Sequence, residues 1–113
     1  MVCDYYSGMQ VLVPLDLKLA GTSAEAVAAG IAEYYKEGAT VSVHALNEAL
    51  PENGLYSNAL SGSDRMELYM TVNAAGDQMM LVSLFDNLGK GSSGAAIQCM
   101  NLMLGMDETE GLE

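Results

Sequence analysis

One segment, at residues 86–98, joins a strand-like pattern to a helix-like one and reads Asp86-Asn87-Leu88-Gly89-Lys90-Gly91-Ser92-Ser93-Gly94-Ala95-Ala96-Ile97-Gln98. The apolar run Met79 to Phe85 enters this segment, and the helical pattern of Gly94 to Leu104 leaves it. Glycine lets a backbone approach a ligand closely, and a helix start offers free N–H groups to a polar or anionic ligand. If the chain has binding chemistry, this segment is where it is expected. Taken alone, the local pattern favours a glycine-rich turn without a ligand.

Residues 89–94 have the G-x-G-x-x-G spacing of dinucleotide-binding loops. That motif needs a further parallel strand after the helix, with an acidic residue about 20 positions on. Here only the acidic segment Asp107 to Glu113 follows the helix. A phosphate-binding P-loop is also excluded, because Leu84 takes the place of its first glycine and Gly91 follows Lys90 where Ser or Thr must hold magnesium. The sequence does not predict a free-standing nucleotide site.

The charge balance restricts the partners. Fifteen acidic residues against four basic ones give a formal net charge of −11, which repels nucleic acid and anionic membranes, so neither is expected as a partner. At 113 residues, half of them apolar, the chain is long enough for one domain with one core. It has no signal-peptide pattern and no apolar run near the ~18 residues of a membrane helix, so the expected location is cytoplasmic.

The hydrophobic pattern predicts the order β-α-β-loop-β-β-α. The predicted elements are a strand over 9–17, a helix from 22 to about 36, strands over 40–46, 65–72 and 79–85, and a helix over 94–104. Thr22 and Glu25 match a capping box that would begin the first helix. The strand over 79–85 is apolar on both faces and should be central. The expected fold is α+β, a mostly antiparallel sheet with two helices packed on it.

No catalytic constellation is visible. The only histidine, His44, alternates outward on its strand without a partner at motif spacing, which favours a surface or hydrogen-bonded role. Cys3 and Cys99 are interpreted as free thiols, and one histidine with two scattered cysteines matches no metal site. Asp86 and Asn87, where a buried strand meets the glycines, stay open between a ligand site and a structural turn.

A longer pattern adds a family resemblance. Residues 86–103 read Asp-Asn-Leu-x-Lys-Gly-x-x-Gly-x-Ala-x-Gln-x-x-Asn-Leu-Met, which resembles the C-terminus of N-acetyl-gamma-glutamyl-phosphate reductases, relatives of aspartate-semialdehyde dehydrogenase. Three further segments are similar to the same family and occur in the same order: Tyr6 to Leu15, Asn58 to Leu68, and Glu108 to Leu112. The resemblance therefore covers nearly the whole chain.

The resemblance implies part of an enzyme. The family uses NADPH to reduce an acyl phosphate to an aldehyde, with a cysteine nucleophile and a histidine as acid and base. Neither of the segments that carry these residues is present, so no catalytic residue is assigned and the chain is expected to be inactive alone. Residues 1–90 would belong to the substrate and dimerisation domain, and residues 91–105 would form a helix that packs on the missing nucleotide-binding domain. Residues 106–113 would be an acidic tail.

The resemblance also suggests binding residues. Asn87, Lys90 and Gly91 match a turn near the nicotinamide of NADP, where the Asn87 amide suits a carboxamide and Gly91 leaves room for the ring. Ser63, Asp64 and Arg65 match a substrate-binding segment, although many members have Asn at the position of Asp64.

The expected partners are the missing N-terminal half and further copies of the chain. The alternative is a stand-alone α+β binding or regulatory module that dimerises through its sheet. A reading frame that begins at Met1 would favour the alternative, and one that extends upstream into nucleotide-binding and cysteine motifs would favour the reductase.

Overall fold

A computed structural model describes residue 1, residues 3–52 and residues 54–113. Its elements in chain order are β1 (Met9–Asp16), α1 (Leu17–Ala20), α2 (Ala24–Tyr35), β2 (Val41–Leu46), β3 (Met66–Val72), β4 (Gln78–Phe85), a π-helical turn (Gly89–Ser93) and α3 (Gly94–Leu104). The predicted order is therefore confirmed in outline. The short helix α1 and the π-helical turn are additions to the two predicted helices.

The four strands form one sheet in the order β1-β4-β3-β2, so β4 is central, as its two apolar faces predicted. β4 pairs antiparallel with both β1 and β3, and β2 pairs parallel with β3. The α+β class is confirmed, but the sheet is mixed. Parallel neighbours need a connection of a dozen or more residues, and the segment 47–65 supplies one. The sequence pattern predicted residues 47–64 only as an irregular loop.

The start of α2 differs by one residue from the predicted capping box. The N-cap is Ser23, whose side chain accepts a hydrogen bond from the Ala26 N–H at 3.2 Å. Thr22 is not the cap, because its own N–H bonds to the Leu17 carbonyl at 3.2 Å and closes the preceding helix α1. The sequence pattern could not reveal α1, since Leu17 continues the apolar alternation of β1.

The core has two parts, one on each face of the sheet. On one face α1 and α2 cover the sheet around the buried residues Leu17, Ala24, Met70 and Met79. On the other face the segment 47–65 packs Leu55 and Leu60 against the buried side chains Tyr69, Val82 and Leu84. The long connection is therefore a covering layer, and it brings residues 61–64 to the end of β4.

Helix α3 leaves much of its apolar surface uncovered. Met103 is 87% exposed and Leu104 is 65% exposed, and Met100, Leu102 and Met106 are also exposed. The accessible surface is 6968 Å², whereas a compact monomer of 11.9 kDa is expected to have about 5,900 Å². The radius of gyration is 15.3 Å, against about 13 Å expected for this length. No helix in the described part of the chain could cross a membrane.

Candidate functional site

The carboxylate of Asp86 lies at the end of β4 and is only 3% exposed. Its Oδ1 accepts a hydrogen bond from the Leu88 N–H at 2.9 Å. Its Oδ2 accepts one from the Gly62 N–H at 2.6 Å and one from the Ser7 hydroxyl at 3.1 Å. Burial by itself raises the pKa of the Asp86 carboxyl, but these hydrogen bonds outweigh burial and hold the pKa below its ordinary value. The Asp86 carboxylate is therefore a buried anion at the point where β4 ends and the turn begins.

Asn87 is fixed by the segment before β1. Its Oδ1 accepts a hydrogen bond from the Gly8 N–H at 2.8 Å. Gly8 has a φ of +120°, and a Cβ there would lie 2.5 Å from the Asn58 Cα, so the close approach requires glycine. No hydrogen bond from the Asn87 Nδ2 to another described residue is present. The two N–H donors of the amide are therefore free of protein partners within the described residues.

A cavity of about 380 Å³ opens beside this turn. Its lining combines carboxylates, hydroxyls and exposed backbone, including Tyr6, Ser7, Asp64, Asp86, Gly89 and Ser93. A larger groove of about 520 Å³ lies at the opposite end of the sheet, beside Pro14, Thr71 and Met80. That groove is mainly apolar and lies away from the glycine-rich turn. The smaller, polar cavity is the candidate binding site because it adjoins the predicted turn, although Asn87 is not among its lining residues.

The Lys90 side chain is engaged within the protein. Its ammonium donates hydrogen bonds to the Thr40 hydroxyl at 2.8 Å and to the Gln98 Oε1. The Gln98 Nε2 in turn donates to the Glu108 Oε2 at 2.7 Å. Lys90 therefore joins the start of β2 to α3 and does not line the cavity. Its expected place beside a cofactor stays a prediction, to which this network gives no support.

Gly91 is required by packing. A Cβ at Gly91 would lie 2.9 Å from the Phe85 ring and 3.1 Å from the Asp86 carbonyl oxygen. The Gly91 N–H also bonds to that carbonyl at 2.8 Å. The glycine therefore lets the turn fold onto the end of β4, which is a structural reason independent of any ligand.

The segment Ser63 to Arg65 reaches the same turn from the long connection. A Cβ at Gly94 would lie 2.7 Å from the Asp64 Cγ, so the Asp64 carboxylate packs directly on the first residue of α3. The Asp64 Oδ2 accepts a hydrogen bond from the Glu113 N–H at 3.2 Å. The Ser63 hydroxyl accepts one from the Arg65 N–H at 3.2 Å, and Arg65 is exposed. The fold thus brings the two predicted site segments together.

Two sets of contacts were not found from the sequence. Ser7 and Gly62 hold the Asp86 carboxylate, but their partners are distant in the chain and no local pattern marks them. The acidic tail folds back, because the Asn101 Nδ2 donates to the carbonyls of Glu108 at 3.3 Å and Glu110 at 2.8 Å. Asn101 is 1% exposed, and an asparagine within the apolar helix pattern was the available signal.

The remaining reactive side chains show no catalytic arrangement. His44 is half-buried, stacks on Tyr69 with ring centroids 3.9 Å apart, and places its Nδ1 3.0 Å from the Glu48 Oε1. It is therefore a packed histidine that is hydrogen-bonded at Nδ1, whereas its buried Nε2 has no hydrogen-bond partner among the described residues and lies 3.6 Å from the Glu67 Oε2. Cys3 and Cys99 are exposed free thiols. Among the residues that the structure describes, no group of three or more His, Cys, Asp or Glu side chains could hold a metal ion.

Comparison with proteins of known function gives one consistent result. The chain is 41% identical over 103 residues to the N-acetyl-gamma-glutamyl-phosphate reductase of Burkholderia orbicola, which covers 89% of this chain and 33% of the relative. It is 37% identical over 109 residues to N-acetyl-gamma-glutamyl-phosphate reductase 2 of Pseudomonas putida, and the match covers 95% of this chain and 35% of the relative. For the reductase of Rhizobium meliloti the identity is 39% over 105 residues, covering 91% and 34%. The chain thus spans about a third of these relatives, and no protein-family model matches it.

Proposed function

The chain belongs to the N-acetyl-gamma-glutamyl-phosphate reductase family, of which it represents a C-terminal segment, and we propose that it forms one wall of the hydride-transfer site in such an enzyme. The complete enzyme would use NADPH to reduce N-acetyl-gamma-glutamyl phosphate to N-acetylglutamate semialdehyde, a step of arginine biosynthesis, in the cytoplasm. The cysteine nucleophile and the acid–base histidine would lie on sequence outside this chain, so the segment alone would be inactive.

The orientation of Asn87 carries this proposal. Because the Gly8 N–H bonds to its Oδ1, the orientation of the amide is set, and the Nδ2 group supplies two donors that have no partner among the described residues. The carboxamide of a nicotinamide presents a carbonyl oxygen, which is the complementary acceptor. Asn87 would therefore hold the nicotinamide by that oxygen and present the ring for hydride transfer, which the cofactor supplies. The cavity is lined by the two chain neighbours of Asn87, Asp86 and Leu88, and not by Asn87 itself.

The other predicted site residues divide into two roles. Lys90 and Gly91 would shape the turn, since the first bridges Thr40 and Gln98 and the second packs on Phe85. Ser63 and Asp64 would form the adjoining wall. Arg65 is exposed and makes no ion pair with another described residue, so its guanidinium is the group suited to an anionic substrate.

The uncovered apolar surface supports a partner. The exposed residues of α3 are those expected to contact the nucleotide-binding part of the same enzyme, and the excess accessible surface fits a chain that is completed by further contacts. In isolation such a surface favours self-association. We expect oligomers of the purified chain by light scattering, and a monodisperse monomer would count against this assignment.

The test is a chimera in which this chain replaces the homologous third of the Burkholderia orbicola enzyme. We expect the chain alone to show no reductive dephosphorylation and the chimera to show NADPH-dependent activity. Asn87→Ala in the chimera should lower kcat/KM for NADPH, whereas Gln78→Ala, which removes an exposed amide at the other end of β4, should not. Activity of the isolated chain, or an unchanged kcat/KM in Asn87→Ala, would contradict the proposal.

A further inference from the structure

We propose that Asp86 is the positioning residue of this site, since its carboxylate locks three separate chain segments together and so sets the direction of the Asn87 amide. The inference rests on the proposed function only in taking Asn87 as the cofactor contact. Asp86 itself would touch neither the cofactor nor the substrate. Its role is carried by the geometry around the carboxylate.

The three hydrogen bonds to Asp86 come from three parts of the chain. Leu88 belongs to the turn itself, Gly62 to the long connection between β2 and β3, and Ser7 to the segment before β1. The Ser7 hydroxyl also contacts the Ser61 hydroxyl at 2.5 Å, which joins the second and third of these segments. A single buried carboxylate is therefore the junction at which the walls of the cavity meet.

The link from Asp86 to Asn87 runs through neighbouring residues on both sides. Ser7 donates to Asp86, and the next residue, Gly8, donates its N–H to Asn87. The adjacent residues Ser7 and Gly8 therefore bond to the adjacent residues Asp86 and Asn87. An unheld asparagine amide can exchange its oxygen and nitrogen positions by rotation about χ2, and the Gly8 N–H permits only the orientation with Oδ1 towards it. Loss of the Ser7 contact should loosen Gly8, which its packing against Asn58 still holds in part, and with it the amide.

The site requires a carboxylate and not merely a polar side chain of this size. Both oxygens of Asp86 accept a backbone N–H, from Leu88 on one side and from Gly62 on the other. Asparagine has the same shape but offers one oxygen and one NH₂ group, so Asp86→Asn must place donors against one of the two backbone donors. No Lys, Arg or His ion pair with Asp86 is present in the described part of the chain. The hydrogen bonds alone compensate the buried charge.

The first measurement uses the full 113-residue chain and needs no cofactor. In Asp86→Asn and in Ser7→Ala, the NMR signals of the Asn87 side-chain NH₂ group should shift towards those of an exposed asparagine amide. Asp107→Asn is the matched control, because it removes the same charge while its Oδ1 still accepts from Thr109 N–H and hydroxyl. Unchanged Asn87 signals in both variants would overturn the proposal. If Asp86→Asn fails to fold, the Ser7→Ala spectrum decides alone.

The second measurement uses the chimeric enzyme described above. A positioning role predicts a KM for NADPH raised on the order of tenfold in Asp86→Asn, together with loss of discrimination against a cofactor analogue that lacks the carboxamide oxygen. A merely structural role would lower the amount of active enzyme and leave both quantities unchanged. If the wild-type chimera does not use NADPH, the proposed function fails, and the NMR result still decides the role of Asp86.

Discussion

Replacement of Gly94 by alanine tests whether the glycine-rich turn is built by packing. A Cβ at this position would overlap the Asp64 Oδ1, which is the nearest atom, and would lie 2.7 Å from the Asp64 Cγ and 3.0 Å from the Gly89 carbonyl carbon. Carbon atoms in contact are ordinarily about 3.5–4.0 Å apart, so the Cγ alone would have to retreat by about 1 Å, and the nearer Oδ1 requires a larger movement. That movement breaks the 3.2 Å hydrogen bond from the Glu113 N–H to Asp64.

The expected magnitude is the difference of two effects. Overpacking of a close contact costs about 1–3 kcal/mol, while alanine in place of glycine in a helix gains about 0.5–1 kcal/mol. The overlap with the Asp64 Oδ1 places the cost at the upper end of its range, so Gly94→Ala should lower the free energy of unfolding by about 2 kcal/mol. Gly30→Ala is the control, because Gly30 lies in α2 with nothing within 4 Å of the added methyl group. This variant should raise the free energy of unfolding by up to about 1 kcal/mol.

Urea unfolding followed by far-ultraviolet circular dichroism gives both values on one scale. The double variant Gly94→Ala with Asp64→Ala removes the clashing carboxylate and should recover part of the loss, so the two changes are not additive. A Gly94→Ala protein as stable as the wild type, with Gly30→Ala behaving as expected, would refute the packing account of this turn.

Three further predictions follow from buried polar groups. Burial and the 2.8 Å hydrogen bond to Glu67 raise the pKa of Tyr69 to about 12. The free energy of unfolding should therefore fall as the pH rises from about 10 towards 12. In an alkaline titration followed by tyrosinate absorbance, the last step should be absent in Tyr69→Phe. Because the pKa of Asp86 is lowered, the contribution of its carboxylate to the free energy of unfolding should be complete above about pH 4 and be lost as the pH falls below that. An unchanged acid unfolding midpoint in Asp86→Asn would contradict this contribution. Asn101→Ala should cost about 2 kcal/mol and make residues 107–113 sensitive to carboxypeptidase, with equal digestion of both proteins as the contrary result.

Periodicity and turn chemistry predicted most of the fold. The alternation in β3 and the double-sided apolar run of β4 identified an antiparallel hairpin with a central strand, because those patterns depend on neighbours in the sequence. The parallel pairing of β2 with β3 was not predicted. It depends on where a 19-residue connection lies in space, and no local residue preference encodes that.

The sequence by itself determined the family and predicted the segment of the candidate site, since the glycines, Asp86 and Asn87 are contiguous. Only the tertiary structure decided what each of these residues contacts. In the folded chain the Asp86 carboxylate is buried and accepts hydrogen bonds from two distant segments. The Gly8 N–H orients the Asn87 amide, and the Lys90 ammonium donates to Thr40 and Gln98. A hydrogen bond requires two groups within about 3 Å, and for residues up to 79 positions apart only the folded chain brings such groups together.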